Sequence, residues 1–306
     1  MSSKLPEGWT RASKDGSLSQ SDVEAYESKG FLAIVDFASD DECARMRSRA
    51  EAIVAEFEPE TISIFSTGEN QKRTTDAYFL ASGNNVSCFF EEKAFDGTGA
   101  LVVDKTKSIN KIGHALHDLD PAFRAFSRSR KVYALLLSLG VREPTPVQSM
   151  YIFKNPKIGG AVTPHQDSTF LNTEPPTCLG IWLALEDCTV ENGCLFAIEG
   201  TPEVTRHMEV DYPGGTREIR FTGAAPDDLD LSSATALEVP KGTLVLLHGS
   251  NVHFSRENTS AHSRHAYSVH YIDSSRAKWR ETNWLQRDAS FPFAPLTPDG
   301  DVHSTA

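Results

Sequence analysis

Apolar positions in the first 143 residues recur mainly at intervals of three and four, whereas after Pro144 they come in short runs broken by Gly, Pro, Asn and Asp. The first texture predicts helices and the second strands, because side chains share a face every 3.6 residues in a helix and every two in a strand. "SDVEAYESKG" reads as a short helix ending at Gly30, and "FLAIVDF" as a strand. Ser39 to Glu42, "SDDE", is a capping-box signature ahead of a helix whose apolar face is Met46, Ala50, Ile53, Val54 and Phe57. Ile109, Ile112, Leu116 and Leu119 are spaced for one further helical face. Asp120-Pro121 then offers an N-cap with Pro in the first turn, Phe123 and Phe126 continue the face, and "KVYALLLSLG" closes on Gly140.

From Pro144 the runs "PVQSMYIF", "VTPHQDSTF", "LGIWLALED", "GCLFAIEG", "TLVLLHG" and "RHAYSVHYI" follow one another with no helical pattern between them. That succession argues for an antiparallel sandwich or barrel, not a doubly wound parallel sheet. The polar, Gly/Pro-rich interval 201–238 is too long for an ordinary connection and is expected to be a lid. Asn192-Gly193 in "ENGC" is a hairpin-turn signal with no catalytic role required.

One β-prone run carries chemistry. In a strand, His165 and Asp167 of "TPHQDSTF" would point the same way, with Cα atoms ~6.6 Å apart, a geometry that can hold a metal ion. With 10 His and 42 acidic residues in 306, such a triplet arises about once by chance, and the chain holds a second, His207-Met208-Glu209, whose polar members face away from Met208 and Val210. The pair therefore needs a third ligand from another strand, and His248 and His253 are the candidates. Arg264, 11 positions beyond His253 at the head of "RHAYSVHY", could return beside the metal on the next strand and favours His253. Two His and a carboxylate on one face of an octahedron are what a non-haem iron(II) oxygenase uses. Arginine's planar fork would suit the far carboxylate of a chelating keto acid.

The segments "SINKIGHALH", "VQSMYIFK", "PHQDSTFLNTEP", "LGIWLALEDCTVENGCL" and "GTLVLLHGSNVHFSRENTSAHSRHAYSVHY" closely resemble the phytanoyl-CoA dioxygenase family, over residues 20 to 296. The resemblance implies iron ligation by His165, Asp167 and His253, and a 2-oxoglutarate anchor at Arg264 aided by Ser255. It implies further cosubstrate contacts at Lys111, Met150 and Trp182. The fold it implies is mainly β with flanking α: a double-stranded β-helix, a cupin-like jelly roll, with N-terminal helices packed on the major sheet. The chemistry is Fe(II)- and 2-oxoglutarate-dependent dioxygenation with O2, ascorbate serving as reductant. A retained Asp167, where related halogenating enzymes carry a small residue, favours hydroxylation. One departure is "AIEGTPE", with Glu199 and Pro202 where the family usually has Pro and His.

These readings give one dioxygenase domain over 1–306, with helical support to about 143, a jelly-roll core over about 145–275 and a tail from 276. His270 shares strand parity with Arg264 and is expected to be a satisfied interior histidine. His248 is expected to be structural, and His114 and His117 to belong to helix packing or the surface. The rival reading is a cupin-like metal protein, a sensor or hydrolase holding Zn2+ or Ni2+ without using O2.

Charge and cysteine usage narrow the partners. A net charge of −12 with no Lys/Arg cluster disfavours nucleic acid and anionic membranes, leaving a small-molecule substrate, for which the resemblance implies an acyl or acyl-CoA-like class. Five scattered cysteines, no apolar run near ~18 residues, no secretion-like start and an ending "HSTA" lead to a cytoplasmic expectation.

Overall fold

The capping signals act as read. In the computed structural model, which describes residues 5–6, 8–59, 62–65, 77–211, 218–224 and 229–300, helices α1 (Gln20–Lys29) and α2 (Asp40–Glu56) each start with a reciprocal box. Ser19 pairs with Asp22 and Ser39 with Glu42, so two otherwise orphaned amides are satisfied at each start. Helix α1 ends on Gly30 at φ 77°, and α2 buries Cys43, Met46, Ala50, Ile53 and Val54. The remaining helices are α3 (Ala77–Ala81), α4 (Leu116–Leu119), α5 (Pro121–Ser127) and α6 (Arg130–Ser138). Asp120 caps α5 by accepting from the Ala122 amide, with Pro121 in its first turn. Among the described residues, no helix is long and apolar enough to cross a membrane.

The helix expected through Ile109 and Ile112 is a strand. Strands β1 (Trp9–Arg11), β2 (Phe31–Val35), β3 (Ile64–Phe65), β4 (Val86–Glu91) and β5 (Ile109–His114) precede Pro144, and helix resumes only at Leu116. The β4–β5 register shifts between Phe89 and Phe90, opposite the start of β5. A bulge of this kind turns Ile109 to the same side as Ile112. It thereby produces the three-residue spacing that mimics a helix.

After Pro144 come β6 (Pro144–Ile152), β7 (Val162–His165), β8 (Thr173–Glu174), β9 (Leu179–Ala184), β10 (Leu195–Ala197), β11 (His207–Asp211) and β12 (Glu218–Thr222). They are followed by β13 (Thr235–Leu237), β14 (Leu244–His248), β15 (His253–Ser255), β16 (Ala266–Asp273) and β17 (Lys278–Trp279). A nine-stranded sheet runs β1-β2-β14-β9-β16-β6-β5-β4-β3, and a four-stranded sheet runs β13-β10-β15-β7.

Period-two alternation decides the layers. In the large sheet, Leu32, Ile34, Ile181, Leu183, Leu244, Leu246, Tyr267 and Val269 pack outward against α2, α5 and α6. Their neighbours Phe31, Ala33, Trp182, Ala184, Val245 and Leu247 face inward onto Leu195, Phe196, Leu237 and Phe254 of the small sheet. Both faces of the central strands are therefore buried, which is why these strands read as continuous apolar runs. Each fully buried Leu or Ile is worth about 1.5–3 kcal/mol of transfer free energy. The inward face is thereby free to carry polar chemistry at its open end.

Two peripheral segments pack onto this core. Within 201–238, β11 and β12 pair as a hairpin whose Met208 and Val210 are buried with Trp284 and Leu285. Residues 212–217 and 225–228 of that interval lie outside those described. The expected tail after 276 is anchored, because β17 pairs with β8 and Trp284 and Leu285 are buried. Leu246→Ala, in the outward layer, should destabilise the protein by about 2–5 kcal/mol with unchanged denaturant m-value, as measured by urea unfolding.

Candidate metal centre and its cavity

Strand pairing brings the imidazoles together. His253 of β15 lies directly opposite His165 of β7, and their ring centroids are 4.3 Å apart. Strand β7 ends at His165, so Asp167 does not reach the site by strand alternation as the sequence suggested. It opens a short 3-10 turn, Asp167–Thr169, held to the end of β14 by the Ser168 amide donating to the Gly249 carbonyl at 2.9 Å. Asp167 Oδ1 lies 3.7 Å from Nε2 of both His165 and His253. One ligating atom from each of the three residues falls within 4.8 Å of the others.

Both imidazoles are oriented from behind. Nδ1 of His165 faces the Thr163 carbonyl at 2.9 Å, and Nδ1 of His253 faces the Asn251 carbonyl at 3.1 Å. A carbonyl can only accept, so each Nδ1 carries the proton and each Nε2 lone pair points into the site. Burial, reinforced by neighbouring His253, pushes His165 down to about 4. Burial alone would raise Asp167, but His270, His253 and His165 outweigh it and hold the carboxyl well below its ordinary value. A carboxylate beside two imidazoles whose Nε2 atoms face the same point is a donor set for a divalent cation.

His270, expected to be merely satisfied, is the nearest of these to Asp167: its Nε2 sits 3.1 Å from Oδ2. Parity along β16 turns Ser268 and His270 into the same cavity as Arg264, which precedes the strand by two residues. Gly180 of β9 makes the space. A Cβ there would lie 3.0 Å from Asp167 Oδ2 and 3.4 Å from His270 Nε2.

A cavity of about 240 Å3 adjoins the triad, lined also by Lys111, Met150, Trp182, Ser255 and Arg264. Arg264 is 1 % exposed, and its guanidinium lies 5.1 Å from the Trp182 ring centroid. Its Nε donates to the Gly193 carbonyl at 3.0 Å, while Nη1 is buried without a hydrogen-bond partner among the described residues. The Asn192-Gly193 turn, assigned no role from sequence, thus aims the arginine: Gly193 takes φ 84°, where a Cβ would lie 2.5 Å from the Lys154 side chain. Lys154, also missed, donates to Ser255 Oγ at 2.7 Å and to the Gly160 carbonyl at 2.8 Å. Lys111 has its ammonium 3.9 Å from Met150 Sδ and 3.2 Å from the centroid of Phe65. Burial, opposed by Glu91, brings it down to about 7.

The other histidines sort differently. His248 accepts from the Ser250 amide at 3.1 Å and stays outside the triad. His114 belongs to β5, not a helix, and lines the cavity against Phe79 and Trp284. His117 is fully buried, with Nδ1 2.8 Å from Ser149 Oγ and Nε2 3.2 Å from Asp118.

Two outcomes follow from this geometry. Gly180→Ala should weaken divalent-metal binding by roughly 10-fold or more by displacing Asp167, as read by calorimetric titration. His114, His117, His165 and His265 all have folded-state pKa values depressed primarily by burial. The unfolded chain then binds more protons below pH ~6.5. As pH falls from ~6.5 toward about 4 the metal-free protein should progressively lose stability, measured as a falling urea midpoint; an unchanged midpoint across that window would contradict this.

The phytanoyl-CoA dioxygenase (PhyH) family model matches residues 26–266. The chain is 46% identical over 272 residues to a phytanoyl-CoA dioxygenase of Arabidopsis thaliana, covering 89% of this chain and 95% of that one. It is 45% identical over 288 residues to phytanoyl-CoA dioxygenase domain-containing protein 1 of Bos taurus, covering 91% and 98%. Its fold is similar to EctD from S. alaskensis, solved with 2-oxoglutarate and 5-hydroxyectoine, with TM-score 0.62, 17% identity and coverage of 94% and 89%. It is also similar to the non-heme alpha ketoglutarate dependent carbocyclase SnoK from nogalamycin biosynthesis, with TM-score 0.60, 19% identity and coverage of 92% and 99%. The chain belongs to the phytanoyl-CoA dioxygenase family.

Proposed function

We propose that the chain is an Fe(II)- and 2-oxoglutarate-dependent dioxygenase that hydroxylates a C–H bond of a small molecule. The observation that carries this is the pairing of a His165–Asp167–His253 donor set with a buried arginine whose Nη1 has no hydrogen-bond partner among the described residues, both on one cavity. A solitary buried guanidinium is costly unless an anion meets it, and a dicarboxylate reaching from the metal would do so. The nine- and four-stranded sheets are read here as the major and minor sheets of a double-stranded β-helix forming one domain over 1–306. EctD, similar in fold, was solved with 2-oxoglutarate.

In this reading the Nε2 atoms of His165 and His253 and the carboxylate of Asp167 hold the iron. Bound there with 2-oxoglutarate and O2, the ferrous ion supplies the oxidant that inserts oxygen into the substrate, with succinate and CO2 as co-products. The chain's own residues supply position and exclusion. Arg264, braced by Trp182 and the Gly193 carbonyl, grips the far carboxylate of 2-oxoglutarate, and Ser255 Oγ, held by Lys154, stands beside it. Lys111 and Met150 close the adjacent wall. Phe170 and Phe254, on the same lining, keep water from the reacting centre.

Anaerobically purified chain given Fe(II), ascorbate, 2-oxoglutarate and air should form succinate even without substrate, slowly and uncoupled. Arg264→Gln should raise the KM for 2-oxoglutarate by roughly 100-fold while leaving metal binding intact, because it removes a bidentate charge-assisted contact. Asp167→Ala should remove both metal binding and succinate formation. Succinate release that is absent from iron-loaded protein, with tight Zn2+ or Ni2+ binding retained, would instead indicate a metal-binding sensor or hydrolase.

A further inference from the structure

The cavity has a second arginine besides Arg264. Arg206 lines it just before β11, together with Met208 and Phe221 of the β11–β12 hairpin. Its guanidinium carbon lies 4.0 Å from the Phe221 ring centroid. Phe221 meets Phe170 edge to face at 6.3 Å, and Phe170 meets His165 edge to face at 5.9 Å. A continuous aromatic path thus runs from the Arg206 cation to the triad.

Arg206 has no hydrogen bond or ion pair among the described residues; the aromatic face is its one polar contact. Two acids of the hairpin are engaged elsewhere: Asp211 with Arg220 at 3.1 Å, and Glu209 with the Thr282 hydroxyl at 3.2 Å. Stacking leaves the in-plane N–H donors of a guanidinium free, which is the geometry for a carboxylate or phosphate. In a chain of net charge −12 an anionic ligand is repelled at long range, so a local cation is needed to accept one.

We propose that Arg206 recognises a single anionic group on the substrate, with Phe221 and Phe170 as the platform for its apolar part. The substrate class is then a small amphiphile, acid or monophosphate at one end, with the reacting C–H bond lying along the aromatic path toward His165. The proposal deepens, and rests on, the oxygenase reading of the same cavity. Arg206 is the specificity-determining residue, and it stands apart from Arg264, whose unpartnered Nη1 the same reading assigns to 2-oxoglutarate.

The test uses octanoate, octyl phosphate and the neutral octanamide, titrated into the metal-free protein and followed by calorimetry and by the fluorescence of Trp182 and Trp284. At least one anion should bind about 10-fold more tightly than the amide, the magnitude of one charge-assisted contact. Arg206→Gln should erase that preference, Arg206→Lys should keep part of it, and both should retain the wild-type melting temperature and 2-oxoglutarate affinity. Saturating 2-oxoglutarate should leave the anion preference in place. The proposal is overturned if no anion is preferred, if the preference survives Arg206→Gln, or if it is abolished by 2-oxoglutarate or by Arg264→Gln. Loss of Arg264-dependent 2-oxoglutarate binding, with the Arg206-dependent preference intact, would instead remove the oxygenase reading and leave the anion site standing.

Discussion

A buried carboxylate must be compensated from all sides, and the inner end of this fold is arranged around that requirement at Asp167. Burial pushes its pKa up, but the three imidazoles around it outweigh that push and hold it below its ordinary value. Each imidazole comes from a different part of the chain: the end of β7, the start of β15 and the middle of β16. The cross-strand pairing of β7 with β15 and the inward parity of β16 therefore serve a single charge. The missing Cβ of Gly180 in β9 leaves the room that carboxylate and His270 share.

The same economy governs the cations. Arg264, Lys111 and Lys154 are each less than 10 % exposed. Burial is the leading influence on all three and disfavours their charged forms. Lys154 spends its protons on Ser255 and the Gly160 carbonyl, and Lys111 settles for a sulfur and an aromatic face. Arginine does not shed its charge in proteins, so the unpartnered nitrogen of Arg264 is a standing electrostatic demand for an anion in the cavity.

What could be read from sequence follows from which interactions are local. Capping boxes at Ser19 and Ser39 and the Asp120-Pro121 start depend on a few consecutive residues, so they are visible in the chain. The His165, Asp167, His253 and Arg264 cluster was approachable because strand spacing and the family resemblance pointed the same way. Long-range pairing hid the rest. A bulge opposite Phe89 and Phe90 gave β5 a helical spacing, and the lone signal for His270 was its parity with Arg264. Asn192-Gly193 announced a turn, but the use of the Gly193 carbonyl to aim Arg264 depends on a strand 71 positions away. Gly180 gave no signal, since a glycine in an apolar strand reads as a weakness until its neighbours are known.

The sheet and the hairpin divide the labour by stability. The central strands of the nine-stranded sheet are buried on both faces and cannot shift without disturbing the helical layer, so residues on their inner face hold fixed positions. The β11–β12 hairpin is a two-stranded sheet held by one apolar face, through Met208, Val210, Trp284 and Leu285. Isolated hairpins are marginal, and this one depends on the C-terminal segment beneath it. Trp284 follows β17, and the backbone of that segment bonds β11 where the Val210 amide donates to the Thr282 carbonyl at 2.7 Å. Gly180, Trp182, Ser268 and His270 thus reach the cavity from the rigid sheet, whereas Met208 and Phe221 line it from the hairpin.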